Sequence, residues 1–126
     1  MLLRDYVAGL TKVINDYSKT NLIVTSKLNT DYRTEKIGVV EGRLTFIDDS
    51  EFFFTEYVDA RYKVQKLSYS YHYQRKGGRL LFRYDTAKHK PKLPFVDHKH
   101  LDNGEIIATR TPQLRAVLEE IMEYLL

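Results

Sequence analysis

The chain contains no cysteine, which excludes disulfide staples, thiolate nucleophiles and cysteine-rich zinc sites, and is compatible with a reducing compartment. It has no apolar run long enough to span a membrane. The first residues, Met1-Leu2-Leu3-Arg4-Asp5-Tyr6, lack the basic-then-apolar order of a signal peptide, so a cytoplasmic location is expected. Walker loops, dinucleotide fingerprints, Gly-x-Ser-x-Gly elbows and His-Glu-x-x-His motifs are missing as well, which removes the enzyme classes that depend on them. The charge excess is small: 20 Lys and Arg against 17 Asp and Glu leave +3, too little to establish nucleic-acid binding by bulk charge.

What is present suits a soluble globular chain. An apolar fraction of 43% and an aromatic fraction of 13% are too high for a disordered one, and 126 residues without repeat or linker fit one domain, 1–126, around one core. Leu3, Tyr6, Val7, Leu10, Val13, Ile14 and Tyr17 recur at three and four residues and predict an amphipathic helix that ends over Ser18 to Asn21. Asn21 to Asn29 reads as a first strand, with Leu22, Val24 and Leu28 on one face. Ile37 to Ile47 and Glu51 to Tyr57 read as a hairpin about Asp48-Asp49-Ser50. The apolar phase slips between Val39 and Val40, and Gly38 and Gly42 flank the slip, which predicts a β-bulge.

Lys63 to Gln74 alternates regularly: Leu67, Tyr69, Tyr71 and Tyr73 point one way, and Lys66, Ser68, Ser70 and His72 the other. Arg79 to Asp85 alternates too. With Gly77 and Gly78 as a two-residue turn, Tyr73 faces Phe82, His72 faces Arg83 and Ser70 faces Asp85. Thr86 to Pro94, with three lysines, one histidine and two prolines, reads as an exposed basic loop, re-anchored by Phe95 and Val96. Glu105 to Thr109 is a short last strand. Leu114, Val117, Leu118, Ile121, Met122 and Leu125 form the stripe of a closing helix, with Thr111 as its cap and Pro112 at its first position. The expected fold is α+β: an N-terminal helix, a curved, mostly antiparallel sheet of about five or six strands, and a C-terminal helix.

All four histidines lie in one stretch, His72, His89, His98 and His100, and this stretch is the basic part of the molecule. From Gln74 to His100 it carries Arg75, Lys76, Arg79, Arg83, Lys88, Lys90, Lys92 and Lys99 against only Asp85 and Asp97. A general base at neutral pH suits histidine, and a developing phosphorane suits arginine. His72 with Arg83 meets both needs, His98 or His100 could protonate a leaving oxygen, and Asp85 could hold an imidazole in the required tautomer. Plain alternatives stand beside this: a surface histidine on a half-exposed sheet, and an Arg83–Asp85 surface ion pair that contributes little.

His98 and His100, flanking Lys99, put two imidazoles on one side of an extended segment and could bind a divalent metal, as in a metal-dependent hydrolase; two ligands alone do not make a metal site. Otherwise no cofactor is expected. Tyr71 and Tyr73, with Lys88, His89 and Lys99, could hold substrate as a stacking and phosphate-tracking surface, although tyrosines at this spacing are more often core. A non-catalytic module that binds nucleic acid or protein through the same groups is the second alternative.

The runs Tyr69-Ser70-Tyr71-His72-Tyr73-Gln74, Leu81-Phe82-Arg83-Tyr84-Asp85-Thr86-Ala87-Lys88-His89 and Phe95-Val96-Asp97-His98-Lys99-His100, with Pro112-Gln113-Leu114, resemble the TumE family of toxin–antitoxin proteins. The resemblance lies mainly over residues 69–118. It implies a toxin-like component paired with a helix-turn-helix antitoxin. Residue types and small size, rather than the resemblance itself, make a metal-independent endoribonuclease with RNA as substrate the expected activity, and no membrane partner is expected. The chain departs from the family pattern at Val96 and Asp97, where proline and histidine are usual, and at Tyr73, where tryptophan is. An aspartate in place of a loop histidine bears on which group acts as acid.

Overall fold

The computed structural model describes residues 1–86 and 96–126. Its order is α1 (Leu3–Ser18), β1 (Ile23–Tyr32), β2 (Ile37–Phe46), β3 (Glu51–Asp59), β4 (Gln65–Gln74), β5 (Leu80–Asp85), β6 (His98–Leu101), β7 (Ile106–Ala108) and α2 (Leu114–Leu125). The seven strands hydrogen-bond in sequence order, each antiparallel to the next, in one open sheet. The architecture is α+β as expected, with more strands than expected. The addition is β6: the extended segment that carries His98 and His100 is a strand of the sheet, paired with β5.

Both helices lie on the same face. The inward phases of the strands, Val40, Leu44 and Phe46, then Phe52, Phe54 and Val58, then Tyr69, Tyr71 and Tyr73, meet Leu10, Ile14 and Tyr17 of α1 and Leu118 and Ile121 of α2 in one buried cluster. Burying side chains of this size stabilises the fold by about 1.5–3 kcal/mol each. Edge-on contacts between Phe46 and Tyr73 and between Tyr73 and Tyr124 of α2 add ring geometry to that burial.

Alternation holds in β2 and breaks elsewhere. The expected bulge at Val39 and Val40 is absent, because Gly38 and Gly42 occupy the same inward phase as Val40. A Cβ at Gly42 would come within 2.0 Å of the Phe54 ring, and one at Gly38 within 2.4 Å of the Asp31 carbonyl, so each glycine makes room for a close neighbour. The bulges fall elsewhere. One leaves Val24 out of the core face and exposed. Another, between Tyr57↔Ser68 and Val58↔Lys66, turns Leu67 outward and brings Lys66 to the helix side, the reverse of the expected phase.

The β4–β5 turn is longer than two residues, since Arg75 N–H donates to the Arg79 carbonyl across Lys76, Gly77 and Gly78. Both glycines have positive φ, 89° and 96°. A compensating bulge at Leu81 restores the register, so Tyr73 faces Phe82, His72 faces Arg83 and Ser70 faces Asp85 as expected. α2 begins at Leu114, with Gln113 as its cap, rather than after Thr111. The preceding segment is held extended: the Pro112 carbonyl accepts from Lys66 Nζ at 2.7 Å and Thr111 donates to Asp97 at 3.2 Å.

Candidate active site

Strand pairing builds two rows on the helix-free face. His72, Arg83 and His100 stand directly opposite one another on β4, β5 and β6, and Ser70, Asp85 and His98 form the next row. Adjacent strands are about 4.8 Å apart, so Arg83 has one histidine on each side and the two imidazoles are anchored about 10 Å apart. The outer row is partly exposed, with 38% of the Arg83 side chain and 21% of His100 open to solvent, although the His100 Nε2 atom itself is buried; Asp85 and His98 keep only 4% and 1%. A shallow depression of about 390 Å³ opens beside the rows, lined by Phe53, Thr55, Ser70, His72, Gln74 and Arg83.

Asp85 links the rows. Its Oδ2 accepts from Arg83 Nε at 2.6 Å and lies 3.8 Å from His100 Nε2, while Oδ1 contacts His98 Nε2. His98 Nδ1 lies 2.8 Å from the Val96 carbonyl oxygen. Both nitrogens of His98 thus face acceptors, so Nδ1 donates and one proton is shared between Nε2 and the carboxylate. This is a buried aspartate–histidine pair with a fixed ring.

The His72 tautomer follows by the same argument. Arg83 Nη1 can only donate, at 3.2 Å, so His72 Nδ1 is the acceptor, and Nε2–H donates to Gln74 Oε1 at 2.9 Å. His72 is therefore the neutral ring, its lone pair held by the guanidinium. The Phe53 ring stands 6.1 Å from it, with Arg43 5.1 Å over that phenyl. Gln74 and Phe53 were not singled out from sequence. Gln74 lies two residues from His72 on the same strand face, and Phe53 is the outward aromatic of a strand whose other phenylalanines point inward, so alternation carried the signal for both.

Five of the expected catalytic residues, His72, Arg83, Asp85, His98 and His100, come together. Of the expected substrate-binding residues, Tyr71, Tyr73 and Lys99 do not join them. Tyr71 and Tyr73 are fully buried against the helices. Lys99 points the same way and donates to Glu120 of α2 at 2.7 Å, across the Tyr84 ring. Lys88 and His89 lie outside the described residues. Asp97 accepts from Tyr69 at 2.8 Å and from Thr111, away from the two rows. Burial and the Asp97 carboxylate push the Tyr69 hydroxyl well above its usual range, so it serves as a donor.

A second charged group sits under the helices. Glu56, fully buried, accepts from Tyr71 at 2.5 Å and from Tyr6 of α1. Lys66 Nζ lies 3.6 Å from the same carboxylate and donates to Tyr71 at 2.6 Å. Burial lowers the Lys66 pKa against the pull of Glu56, and burial with the Glu56 charge raises those of Tyr6 and Tyr71. Glu56 was not singled out from sequence, although alternation with Phe52 and Phe54 carried the signal for it; the bulge that turns Lys66 inward left none.

Among the described residues no helix is long and apolar enough to cross a membrane. The family model described as Toxin TumE matches residues 10–125. No curated protein and no solved structure matches.

Proposed function

The chain belongs to the TumE toxin family, which makes it the toxin component of a toxin–antitoxin module, and from this premise we propose that it is a metal-independent endoribonuclease of the cytoplasm. The observation that carries the reading is the row His72–Arg83–His100, a cation between two imidazoles on an accessible sheet face. A phosphodiester bound at Arg83 takes the Nη1 hydrogen bond that now holds His72, and so releases the Nδ1 lone pair. His72 then accepts the proton of the ribose 2′-hydroxyl as its oxygen attacks phosphorus. Arg83 stabilises the phosphorane charge, and His100, from the other side, protonates the departing 5′-oxygen. The products are a 2′,3′-cyclic phosphate and a free 5′-hydroxyl.

Asp85 orients Arg83 in this scheme, and His98 holds Asp85 from behind. Of the two histidines open as the acid, His100 is the better placed, because it stands directly across Arg83 from His72 and keeps part of its side chain exposed, whereas His98 pairs with Asp85 and is fully buried. Tyr71, Tyr73 and Lys99 take no part in it, since they face the helices. The partner is a helix-turn-helix antitoxin. Protein purified free of antitoxin and incubated with RNA in EDTA tests the proposal: cleavage lost in His72→Ala and Arg83→Ala supports it, and RNA left intact by all forms overturns it. Salt-dependent RNA retention without cleavage, indifferent to His72→Ala, would mark a binding module instead.

A further inference from the structure

Asp85, His98 and His100 each offer one ligand atom within 4.8 Å of the other two. Two of these groups come from adjacent residues of one face of β6 and the third from the paired position on β5, so the sheet itself sets their spacing. Tetrahedral zinc takes imidazole nitrogen and carboxylate oxygen at about 2.0–2.2 Å. The surroundings match those of ligating groups too. The Val96 carbonyl holds His98 Nδ1–H, which aims Nε2 at the common point, and Arg83 Nε binds Asp85 Oδ2, which leaves Oδ1 directed to the same point. Hydrogen bonds of both kinds orient ligands in metal centres.

We propose that Asp85, His98 and His100 form a binding site for a zinc-class divalent ion, and that its occupancy opposes RNA cleavage by removing His100 from the acid role. The second half rests on the endoribonuclease reading; the first does not. Binding requires both imidazoles to be neutral at Nε2, so the proton shared by His98 and Asp85 is released to solvent as the ion enters. Two nitrogens and one carboxylate oxygen leave a fourth position for water. With His100 Nε2 bound to metal, no proton remains there for the 5′-oxygen, while His72 and Arg83 keep their places. The fixed Arg83 charge weakens cation binding, so the site differs from a closed structural zinc centre and answers to the supply of free ion.

Titration of the metal-free chain with Zn²⁺ by calorimetry, and with Co²⁺ by visible absorption, tests the site. The expected result is one ion per chain, with a tetrahedral Co²⁺ spectrum. Affinity should fall by at least about 100-fold in His100→Gln and in His98→Gln, beyond the 10–100-fold that a change outside the ligand sphere brings. His100→Gln alters a half-buried position and keeps the fold testable if His98→Gln does not fold. His72→Ala should bind the ion as the wild type does. No binding, or binding unchanged in His100→Gln, overturns the site. In the RNA assay stoichiometric Zn²⁺ should slow cleavage and EDTA restore it; acceleration by Zn²⁺ overturns the antagonism. If the ion binds as described and RNA is never cut, the nuclease reading and the antagonism fall together and the metal site stands.

Discussion

The two faces of this sheet each hold a cluster of charged and hydrogen-bonding side chains, and the clusters differ in what closes over them. Under the helices, Glu56, Lys66, Tyr6 and Tyr71 satisfy one another and the Pro112 carbonyl, and both charges are sealed. On the opposite face Asp85 and His98 are equally buried, but Arg83 and His100 beside Asp85, and His72 beyond Arg83, are only partly buried. A buried ion pair that contacts only protein can hold elements in place; one continued by groups at the surface can position those groups against a ligand. The helix-side cluster is thus assigned to structure, since it joins α1, β3, β4 and the approach to α2, and the open-face cluster to chemistry.

The comparison breaks most visibly if the two clusters are exchanged in importance. Glu56→Leu strands the Lys66 ammonium in the core and should lower stability by about 3–5 kcal/mol in urea unfolding, with Glu56→Leu/Lys66→Met recovering much of it. A loss below about 1 kcal/mol would remove the structural assignment. His72→Ala should leave stability within about 1 kcal/mol of wild type and lower the cleavage rate about 10²–10⁴-fold, the range for a lost acid–base group. Equal losses of stability and rate would mean that the open face is structural as well.

Alkaline pH sharpens the contrast. Tyr6, Tyr69 and Tyr71 have folded pKa values raised above 10.0, so the stability they contribute is present below that pH and is lost as pH rises above it. Lys66, lowered from 10.5, works in the opposite direction and regains stability as pH rises through the same region. Three tyrosines outweigh one lysine. Cooperative unfolding above pH 10 is expected, with the tyrosinate absorbance of Tyr6, Tyr69 and Tyr71, read as the difference between wild type and the corresponding Tyr→Phe variants, coinciding with loss of ellipticity; that difference signal appearing well before unfolding would contradict the burial argument. The smallest effect is expected at Lys99, which lies between the two site histidines in sequence but on the other face in space. Lys99→Met should cost about 0.5–1 kcal/mol through Glu120 and the Tyr84 ring and leave cleavage unchanged.

Much of the open face was legible from period-two alternation alone. His72, Arg83 and Asp85 share a face in any even register, and two irregularities, the longer turn and the bulge at Leu81, cancel to leave the simple pairing. What hid β6 was its brevity, four residues after a segment rich in lysine and proline, so that the x-His-x-His pattern read as an extended segment rather than as a strand of the sheet. Its pairing with β5 answers which histidine stands across Arg83 from His72. The phases of Lys66 and Leu67 were misread because a bulge depends on the partner strand, and the inward glycines of β2 looked like a slip because glycine has no side chain to declare a face. The start of α2 shows the same limit: the apolar stripe marks the helix, while the extended segment before it is held by a lysine on β4 through the Pro112 carbonyl.

The central claim is that His72, Arg83 and His100 cut RNA through its own 2′-hydroxyl. It is tested most directly by end-group analysis of a defined oligoribonucleotide incubated with antitoxin-free protein in EDTA, beside the same oligonucleotide with a single 2′-deoxy substitution at the cleaved position. The account predicts 2′,3′-cyclic phosphate and 5′-hydroxyl ends from the first and no cut at the substituted position in the second, with both activities absent in His72→Ala. Cleavage of the 2′-deoxy substrate at that position, or 5′-phosphate ends, would contradict it.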